Sequence, residues 1–439
     1  MQGQRWVIPV LGLAVMACLA SAFVFDRPLY VMALGAVMMR PYPIPLIDIA
    51  QLPGVIGCWQ HGIDPYVVAS CDLLGRPFAY SPLWLRAWFL PTSLDAMPWM
   101  GLILDGAFFL SLALLPPPRR GVEVLILALA TFSSLPAFAL ERVNADVVMF
   151  LLIIGGGWLW LRSGVIRLSG YAIFLLAGLL KFYPLVLCLL FLRERLVWAV
   201  LLFLAALAAL GLFLLHFHAE LVEMADNLPN PGYYDDTFGA RQLAFGMGGM
   251  LQELGVDRLP FLGPFEPKRS PGLIVILLVC SHIAGFACAG LLATRPPLRI
   301  AMGALTPAER GFLAIGVILL CGCFFAGPNL SYRGIHFLFV VPGLAAMALA
   351  SPPGTMRVLF RLTLGLTLLL LWGLSLQQLV AWLSGGVDSP MGGSVAMNLY
   401  WIFHELAWWW VITVLLGMLF RLIADMPAWH SLPRLRRHA

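Results

Sequence analysis

A single carboxylate, Asp48, lies in an apolar stretch (Pro-Leu-Ile-Asp-Ile-Ala) of the long Pro-rich segment 26–82. An isolated carboxyl group in apolar surroundings is expected to have a raised pKa, and such a group can serve as a general base. The same residue could instead cap a short helix, which is a common role for aspartate. The local sequence leaves both roles open.

Three cationic residues lie within or beside apolar runs. Lys181 is in the middle of one such run, whereas Arg142 and Arg333 each lie at the junction of a polar stretch and an apolar one. Ionisable residues at membrane depth are costly and usually functional. Alternatively, Lys181 could extend to a headgroup, and the two arginines could pair with Glu141, Asp146 or a backbone carbonyl.

The composition defines the class of protein that these residues belong to. The chain has 439 residues, of which 61% are hydrophobic and 11% charged, with a mean hydropathy of +0.91. Soluble domains carry about 25% charged residues. We therefore exclude a soluble enzyme, a disordered chain and a nucleic-acid binder, and we predict an all-α polytopic membrane protein forming a single transmembrane domain over residues 1–439.

Apolar stretches predict the spans. They lie near 6–24, 97–115, 121–140, 146–161, 197–215, 271–293, 311–326, 334–350, 358–380 and 398–420. The stretch 171–192 has arginines at both flanks, so both of its ends are expected on one side of the membrane. Pro184 disfavours helix before it, which predicts two half-helices bent at residues 181–184. Together these segments predict a bundle of about 10–13 helices.

Arginine placement predicts the orientation. Short loops on one side carry most of the arginines, which places that side in the cytoplasm together with both termini. Two long segments, 26–82 and 216–270, then lie outside, and their Pro, Gly, Asp and Asn content predicts loops with short surface helices.

Cysteines and histidines show no metal-binding spacing. Six of the eight cysteines lie in apolar spans. Cys58 and Cys71 share the first outer segment, where a disulfide can persist, but the sequence leaves their pairing open. His216 and His218 lie at a membrane boundary without an HExxH or CxxC pattern, and we predict no structural metal.

The order of motifs in the first outer segment resembles the GT-C superfamily of membrane glycosyltransferases. Asp48 is followed by GIDPY at 62–66 and by PFAYSPLW at 77–84. This order is similar to the polyprenyl-phosphate-mannose-dependent α-1,2-mannosyltransferase-like branch, glycosyltransferase family 87 and its relatives. The chain departs from that pattern at Ile49, where the branch has an aromatic residue, and at Ser81, where it has proline.

Three later segments extend this resemblance. They are ERVNADVVMFLL at 141–152, LLKFYPLVLCLLFLRER at 179–195 and AGPNLSYRGIHFLFVVPG at 326–343. The resemblance covers roughly the first half of the chain and one later loop. The last 80 residues carry no recognisable pattern.

The resemblance implies a transferase of the bacterial inner membrane that moves a sugar from a polyprenyl-phosphate donor to a lipid or cell-envelope glycan, with inversion, on the periplasmic side. Asp48 would be the base, and Lys181, Arg142 and Arg333 would bind the donor phosphate. Polar side chains near them would contact sugar or acceptor: Asp64, Tyr66, Tyr80, Glu141, Asn144, Asp146, Tyr183, Tyr233, Asp235, Asp236 and His336. Glu141, Asn144 and Asp146 could equally cap a helix, and Tyr233, Asp235 and Asp236 could belong to a plain surface loop.

No cofactor is required by this interpretation, and a divalent metal is compatible with it but not indicated. The expected partners are the lipid-linked donor, the acceptor and membrane lipids, with no nucleic acid. One alternative is a transporter or flippase of lipid-linked sugars, which should show two similar halves; no such repeat is visible in the sequence. A second alternative is a non-catalytic subunit of an envelope-glycan assembly.

Overall fold

The chain is almost entirely helical. The computed structural model describes residues 3–39, 41, 44–228, 237–253, 258–259, 263–264, 271–327, 329–385 and 395–430. In the first half the α-helices are α1 (Val7–Phe25), α2 (Arg27–Ala36), α3 (Ile47–Gln60), α4 (Met97–Ser111), α5 (Gly121–Thr131), α6 (Ser134–Arg142), α7 (Ala145–Trp160), α8 (Val165–Lys181), α9 (Leu196–His216) and α10 (His218–Asp226).

The second half continues with α-helices and contains all of the strands. The helices are α11 (Gln242–Glu253), α12 (Pro271–Ala293), α13 (Pro296–Gly303), α14 (Pro307–Ala326), α15 (Phe337–Ala350), α16 (Thr355–Leu371), α17 (Gly373–Leu383), α18 (Val395–Ala424) and α19 (Pro427–His430). The strands have two residues each: β1 (Thr237–Phe238), β2 (Arg258–Leu259), β3 (Gly263–Pro264) and β4 (Asn329–Leu330). Short 3-10 helices include Gly3–Trp6, Ala69–Cys71, Trp84–Arg86, Leu94–Ala96, Leu112–Leu114, Tyr183–Arg193 and Ser331–His336.

Among the described residues, seven helices are long and apolar enough to cross a membrane, and two bent helix pairs raise this number to nine. The chain therefore has the architecture of a multi-pass membrane protein. The predicted span 146–161 coincides with a shorter apolar helix, α7. The predicted stretch 171–192 is divided between the end of α8 and the 3-10 helix Tyr183–Arg193.

The centre of the bundle is formed by α14, α15 and α18, most of whose apolar residues are buried inside the protein. In contrast, α1, α9 and α12 are as apolar but mostly exposed. Helices that are apolar all round and uncovered by protein suit a lipid environment. The bundle thus has a protein core and an outer layer suited to lipid.

The chain reverses at Phe182, within the stretch where the sequence predicts a bend. Here α8 ends, and the 3-10 helix Tyr183–Arg193 returns along it, with Pro184 in its first turn, where proline needs no amide donor. The far ends of the two helices meet, because Arg167 pairs with Glu194 at 3.0 Å and the Tyr171 hydroxyl lies 2.9 Å from the same carboxylate. Lys181 consequently lies at the tip of a helical hairpin.

The helix that carries Asp48 is buried. The sequence predicts short surface helices in segment 26–82, but the first ten residues of α3 are mostly buried against α4, α6 and the 3-10 helix Trp84–Arg86. Apolar residues occupy nearly every position of this helix, so it packs on all sides. The Leu46 amide bonds to the Glu141 carbonyl at 2.8 Å, which joins the start of α3 to the end of α6.

A disulfide joins Cys58 to Cys71, with their Cα atoms 6.1 Å apart. It links the last turn of α3 to the 3-10 helix Ala69–Cys71. In segment 216–270, α10 follows α9, and β1 pairs antiparallel with β4 in the register Thr237 with Leu330 and Phe238 with Asn329. This pairing holds the described end of that segment next to residues 329–336.

Candidate active site

Asp48 is 8% exposed and accepts four hydrogen bonds. Arg142 binds it as a fork, from Nε to Oδ2 and from Nη2 to Oδ1, both at 2.9 Å. Arg76 Nη1 donates to Oδ1 at 3.0 Å, and Asn144 Nδ2 donates to Oδ2 at 2.7 Å. A carboxylate offers about four lone-pair sites, so these donors fill its capacity.

This environment reverses the pKa shift expected from the sequence. Burial alone would raise the pKa of Asp48, but the hydrogen bonds and positive charge of Arg142, with the bonds from Asn144 and Arg76, lower it below its usual value. The expectation of a raised pKa was wrong because two arginines distant in the sequence converge on the carboxylate. Asp48 is therefore an ionised, fully bonded group in this state.

A second carboxylate, Asp146, lies at the start of α7 and is completely buried. Lys181 Nζ lies 2.8 Å from its Oδ2, and Arg333 Nε lies 3.8 Å from the same atom. The Tyr183 hydroxyl donates to Oδ1 at 2.8 Å. Asp146 thus accepts hydrogen bonds from a lysine and a tyrosine at the bend of the helical hairpin.

Asn144 connects the two carboxylates. Its side-chain oxygen accepts from the Asp146 amide at 3.0 Å, as the cap of α7, and from Lys181 Nζ at 3.2 Å. Its side-chain nitrogen donates to Asp48. A single buried amide therefore fixes the relative positions of the Asp48 and Asp146 groups, and we call the residues around them the two-carboxylate cluster: Asp48, Arg76, Arg142, Asn144, Asp146, Lys181, Tyr183 and Arg333.

Aromatic side chains surround the lysine of this cluster. The rings of Tyr80 and Tyr332 have centroids 5.2 and 5.6 Å from Lys181 Nζ, within the range of a cation–π contact. His336 Nε2 lies 2.6 Å from the Tyr183 hydroxyl, and its ring stacks on Phe150 and Phe339. Tyr80, Tyr183 and His336, all predicted site residues, thus lie in or next to the cluster.

The cluster is built from the ends of several helices. Arg142 ends α6, Asn144 caps α7, Lys181 ends α8, and Arg333 and His336 belong to the 3-10 helix before α15. Helix ends carry unpaired backbone groups and lie where spans emerge, so polar side chains are tolerated there. Since α7 and α8 are antiparallel, the start of one and the end of the other meet at the same side of the bundle.

Three predicted residues lie outside the cluster but support it. Asp64 accepts from the Tyr66 amide at 2.9 Å, and the Tyr66 hydroxyl donates to the Tyr80 carbonyl at 2.9 Å. The Glu141 carboxylate lies near Tyr30. Burial is the main cause of a raised pKa of the Tyr30 phenol, and the negative charge of Glu141 is the second cause. These residues order the loop that presents Tyr80 and the joint between α3 and α6.

The predicted residues Tyr233, Asp235 and Asp236 lie outside the described residues. Sequence reasoning also missed residues that the structure brings into the site. Arg76, within the GRPFAY stretch, pairs with Asp48 and also with Asp72, 2.7 Å from Nε. Asn329 accepts a hydrogen bond from Arg333. The sequence does contain a signal for Arg76, because Asp72 and Arg76 have opposite charges and lie four residues apart in an otherwise weakly charged segment.

Charge and access suggest what the cluster can bind. Asp48 and Asp146 are almost fully buried, whereas the side chains of Arg142, Arg333 and Arg76 are 16%, 22% and 34% exposed. An incoming ligand would therefore meet guanidinium groups first, and these suit an oxyanion such as phosphate. Within the described ranges, no three His, Cys, Asp or Glu side chains are grouped in a way that could hold a metal ion.

Comparisons of the whole chain with models of protein families, with curated proteins and with solved structures find no match. The case for function therefore depends on the geometry of the cluster itself.

Proposed function

We propose that the protein is a GT-C-type membrane glycosyltransferase with a bundle of about 10–13 helices. It would move a hexose or pentose from a polyprenyl-phosphate sugar to a lipid or envelope-glycan acceptor outside the cytoplasmic membrane, using the two-carboxylate cluster. The observation that carries this proposal is the convergence of a buried aspartate and three partly exposed arginines at one end of an apolar bundle. That combination supplies both a proton acceptor and a phosphate-binding surface.

In the proposed reaction, the acceptor hydroxyl oxygen attacks the anomeric carbon as the bond from that carbon to the phosphate oxygen breaks. The electron pair of the broken bond leaves with the polyprenyl phosphate, and the configuration inverts. The acceptor proton passes to Asp48. Cations in contact with the departing phosphate would stabilise its growing charge, which is often the largest contribution to catalysis.

The saturation of Asp48 gives this mechanism an order of events. A carboxylate that accepts four hydrogen bonds has no lone pair for a further proton. If the donor phosphate takes a guanidinium group from Asp48, a lone pair becomes available and the pKa of Asp48 rises. The partly exposed Arg142 and Arg76 are suited to this exchange, so the carboxylates would hold the arginines in place until the donor arrives.

Two further features support an extracytoplasmic site. The disulfide between Cys58 and Cys71 lies in the segment that carries Asp48 and Arg76, and disulfides persist in oxidising compartments. At the opposite end of α7 and of the helical hairpin lie Arg162, Arg167 and Arg193, as expected of a cytoplasmic face.

The test is transfer by purified protein in lipid with radiolabelled polyprenyl-phosphate sugars. Asp48→Asn should abolish product formation while retaining expression and donor binding. Asp95→Asn, which removes an exposed carboxylate of the same outer face, is the matched control and should be active. If Asp48→Asn is as active as the control in an assay that detects wild-type transfer, the catalytic role is wrong, and a non-catalytic subunit becomes the better interpretation.

A transporter of lipid-linked sugars is the second candidate, favoured by one specific observation. The helical hairpin of α8 and the 3-10 helix Tyr183–Arg193 is interrupted at Phe182, and Lys181, directly before this break, belongs to the cluster. Interrupted helices with charged groups at the break are typical of transport sites. Vesicles that move the labelled lipid between leaflets without forming product would favour this candidate.

A further inference from the structure

A second concentration of cations lies at the other end of the bundle. There a cavity of about 860 Å³ is lined by five arginines from five different elements. They are Arg5 in the 3-10 helix Gly3–Trp6, Arg162 after α7, Arg193 at the end of the 3-10 helix Tyr183–Arg193, Arg299 in α13 and Arg310 in α14. Among the described residues, Asp425 is the one carboxylate that lines this five-arginine cavity.

The cavity is separate from the two-carboxylate cluster. Helix α7 starts beside Asp146 and ends at Trp160, and its 16 residues span about 24 Å. Likewise, the hairpin has Lys181 at its bend and Arg193 at its far end. Two independent elements therefore place the cavity about one helix length from the cluster, at the opposite end of the bundle.

The nearby carboxylates form their ion pairs with other arginines, although Asp425 also interacts electrostatically with Arg299 and Arg310, and Glu194 with Arg193. Glu194 pairs with Arg167, and Asp425 pairs with Arg421, whose Nε is 2.9 Å from Oδ2. Within the part of the chain that the structure describes, none of the five arginines makes an ion pair. The positive-inside rule explains arginines on this face, but it does not explain five of them around one cavity with a single acid.

Hydrogen bonds hold three of the five arginines in position. Arg5 donates to the Ala113 carbonyl at 2.5 Å, and Arg310 donates to the Gly303 carbonyl at 3.0 Å. Arg193 donates to the Trp160 carbonyl at 3.1 Å and lies over the Trp160 ring. Each guanidinium has five N–H donors, so a single backbone bond leaves others to face the cavity. Three fixed guanidinium forks, with two further arginines beside them, match a phosphate group with two or more negative charges.

We propose that the five-arginine cavity binds a phosphate monoester or diphosphate group at the membrane surface opposite the cluster. The ligand relieves the mutual repulsion of five like charges. Its source is either the headgroup of a lipid in that leaflet or a soluble phosphate compound. The proposal stands independently of sugar transfer, because no residue of the two-carboxylate cluster takes part in it.

Arg162 and Arg299 are the residues to vary, because no hydrogen bond holds either of their side chains among the described residues. Arg162 lies over the Trp158 ring, and Arg299 lies in the short helix α13, so neither replacement is expected to prevent folding. Arg361→Gln is the matched control, since Arg361 lies at the same end of the bundle, next to the Ala348 carbonyl, but does not line the cavity.

Binding would be measured by tryptophan fluorescence of the detergent-purified full chain, since Trp158 and Trp160 line the cavity. The lipid probes are dioctanoyl phosphatidic acid, a monoester, and dioctanoyl phosphatidylglycerol, a singly charged diester. Inorganic pyrophosphate is the soluble probe. We expect the monoester lipid or pyrophosphate to bind at least tenfold more tightly than the diester. Tighter binding of the lipid identifies a headgroup as the source, and tighter binding of pyrophosphate identifies a soluble ligand.

The double variant Arg162→Gln/Arg299→Gln should weaken this binding at least tenfold, with an unfolding midpoint near that of the wild type, whereas Arg361→Gln should bind normally. The Arg162→Lys/Arg299→Lys variant, which keeps charge but loses the fork, should be intermediate. The proposal is overturned if the Gln double variant binds as tightly as the wild type. The proposal is also overturned if phosphatidylglycerol binds as tightly as both phosphatidic acid and pyrophosphate.

Discussion

Asn144 holds Asp48 by a 2.7 Å hydrogen bond from its side-chain nitrogen, and both residues are almost fully buried. The same amide caps α7 through its oxygen. The proposed base is thus coupled to the start of the helix that carries Asp146. A change at residue 144 can therefore alter Asp48 without touching its arginines.

Replacing Asn144 separates helix capping from support of Asp48. Aspartate and serine both cap helices well, so Asn144→Asp and Asn144→Ser should retain α7. Asn144→Asp loses the donor to Asp48 and adds a negative charge beside it, whereas Asn144→Ser replaces the amide donor with a hydroxyl on a shorter side chain. We expect sugar transfer to fall about 100-fold in Asn144→Asp, since small misplacements at a reacting centre have effects of that size, and to fall less in Asn144→Ser. Equal activity of both variants and the wild type would contradict this role.

The buried pair of Lys181 and Asp146 should couple strongly in stability. Lys181→Met leaves the Asp146 carboxylate without its closest cation, at a cost of about 3–5 kcal/mol. The double variant Lys181→Met/Asp146→Asn removes the uncompensated charge and should recover part of that loss. Thermal unfolding in detergent measures both. Additive effects of the two single changes would show that the pair is not coupled.

The sequence predicts the partners of this cluster better than their interactions. Asp48, Arg142, Asn144, Asp146, Lys181 and Arg333 are identifiable because polar residues are rare in this chain and stand out at the ends of apolar runs. The pairings are not predictable, because Arg142 is 94 residues from Asp48 and no local rule joins them. Arg76 was missed since its segment has no helical or strand pattern. The bend at residue 182 follows from Pro184 and the flanking arginines.

Stability at acid pH should report on Asp48. An exposed aspartate has a pKa of about 3.9. In the folded chain, burial raises the pKa of Asp48, but Arg142, Asn144 and Arg76 lower it by more, so the net pKa lies below the normal value. A lowered folded-state pKa contributes stability that is complete above the unfolded pKa and lost as pH falls through the folded one. We expect the difference in unfolding midpoint between wild type and Asp48→Asn to be constant from about pH 5 to 8 and to shrink below about pH 4. A decline that begins near pH 6 would indicate a raised pKa instead.

Removing the disulfide should loosen the segment that carries Arg76. The bond between Cys58 and Cys71 closes a loop with a sequence separation of 13, and Asp72, the partner of Arg76, follows Cys71 directly. Loops of this length contribute about 3 kcal/mol. We expect Cys58→Ser/Cys71→Ser to lower the unfolding midpoint and to weaken donor binding. Cys280→Ser, at a free cysteine, is the control, and reductant should lower the midpoint of that control but not of the double variant.

Arg142 and Arg76 should differ in their contribution to transfer. Arg142 makes two bonds to Asp48 and its side chain is 16% exposed, whereas Arg76 makes one, is 34% exposed and is shared with Asp72. Arg142→Gln leaves Asp48 with a weaker set of donors and removes the fork that the donor phosphate would take. We expect it to lower transfer at least 100-fold, with poorer donor binding.

Arg76→Gln leaves the fork intact, so transfer should fall about tenfold, and the pKa of Asp48 should rise. The acid limb of the pH–rate profile would then move to higher pH in Arg76→Gln. If Arg76→Gln is the more damaging change, Arg76 rather than Arg142 is the principal phosphate ligand, and the proposed order of exchange must be reversed. If its acid limb does not move, the ionisation of Asp48 is not what limits transfer at low pH.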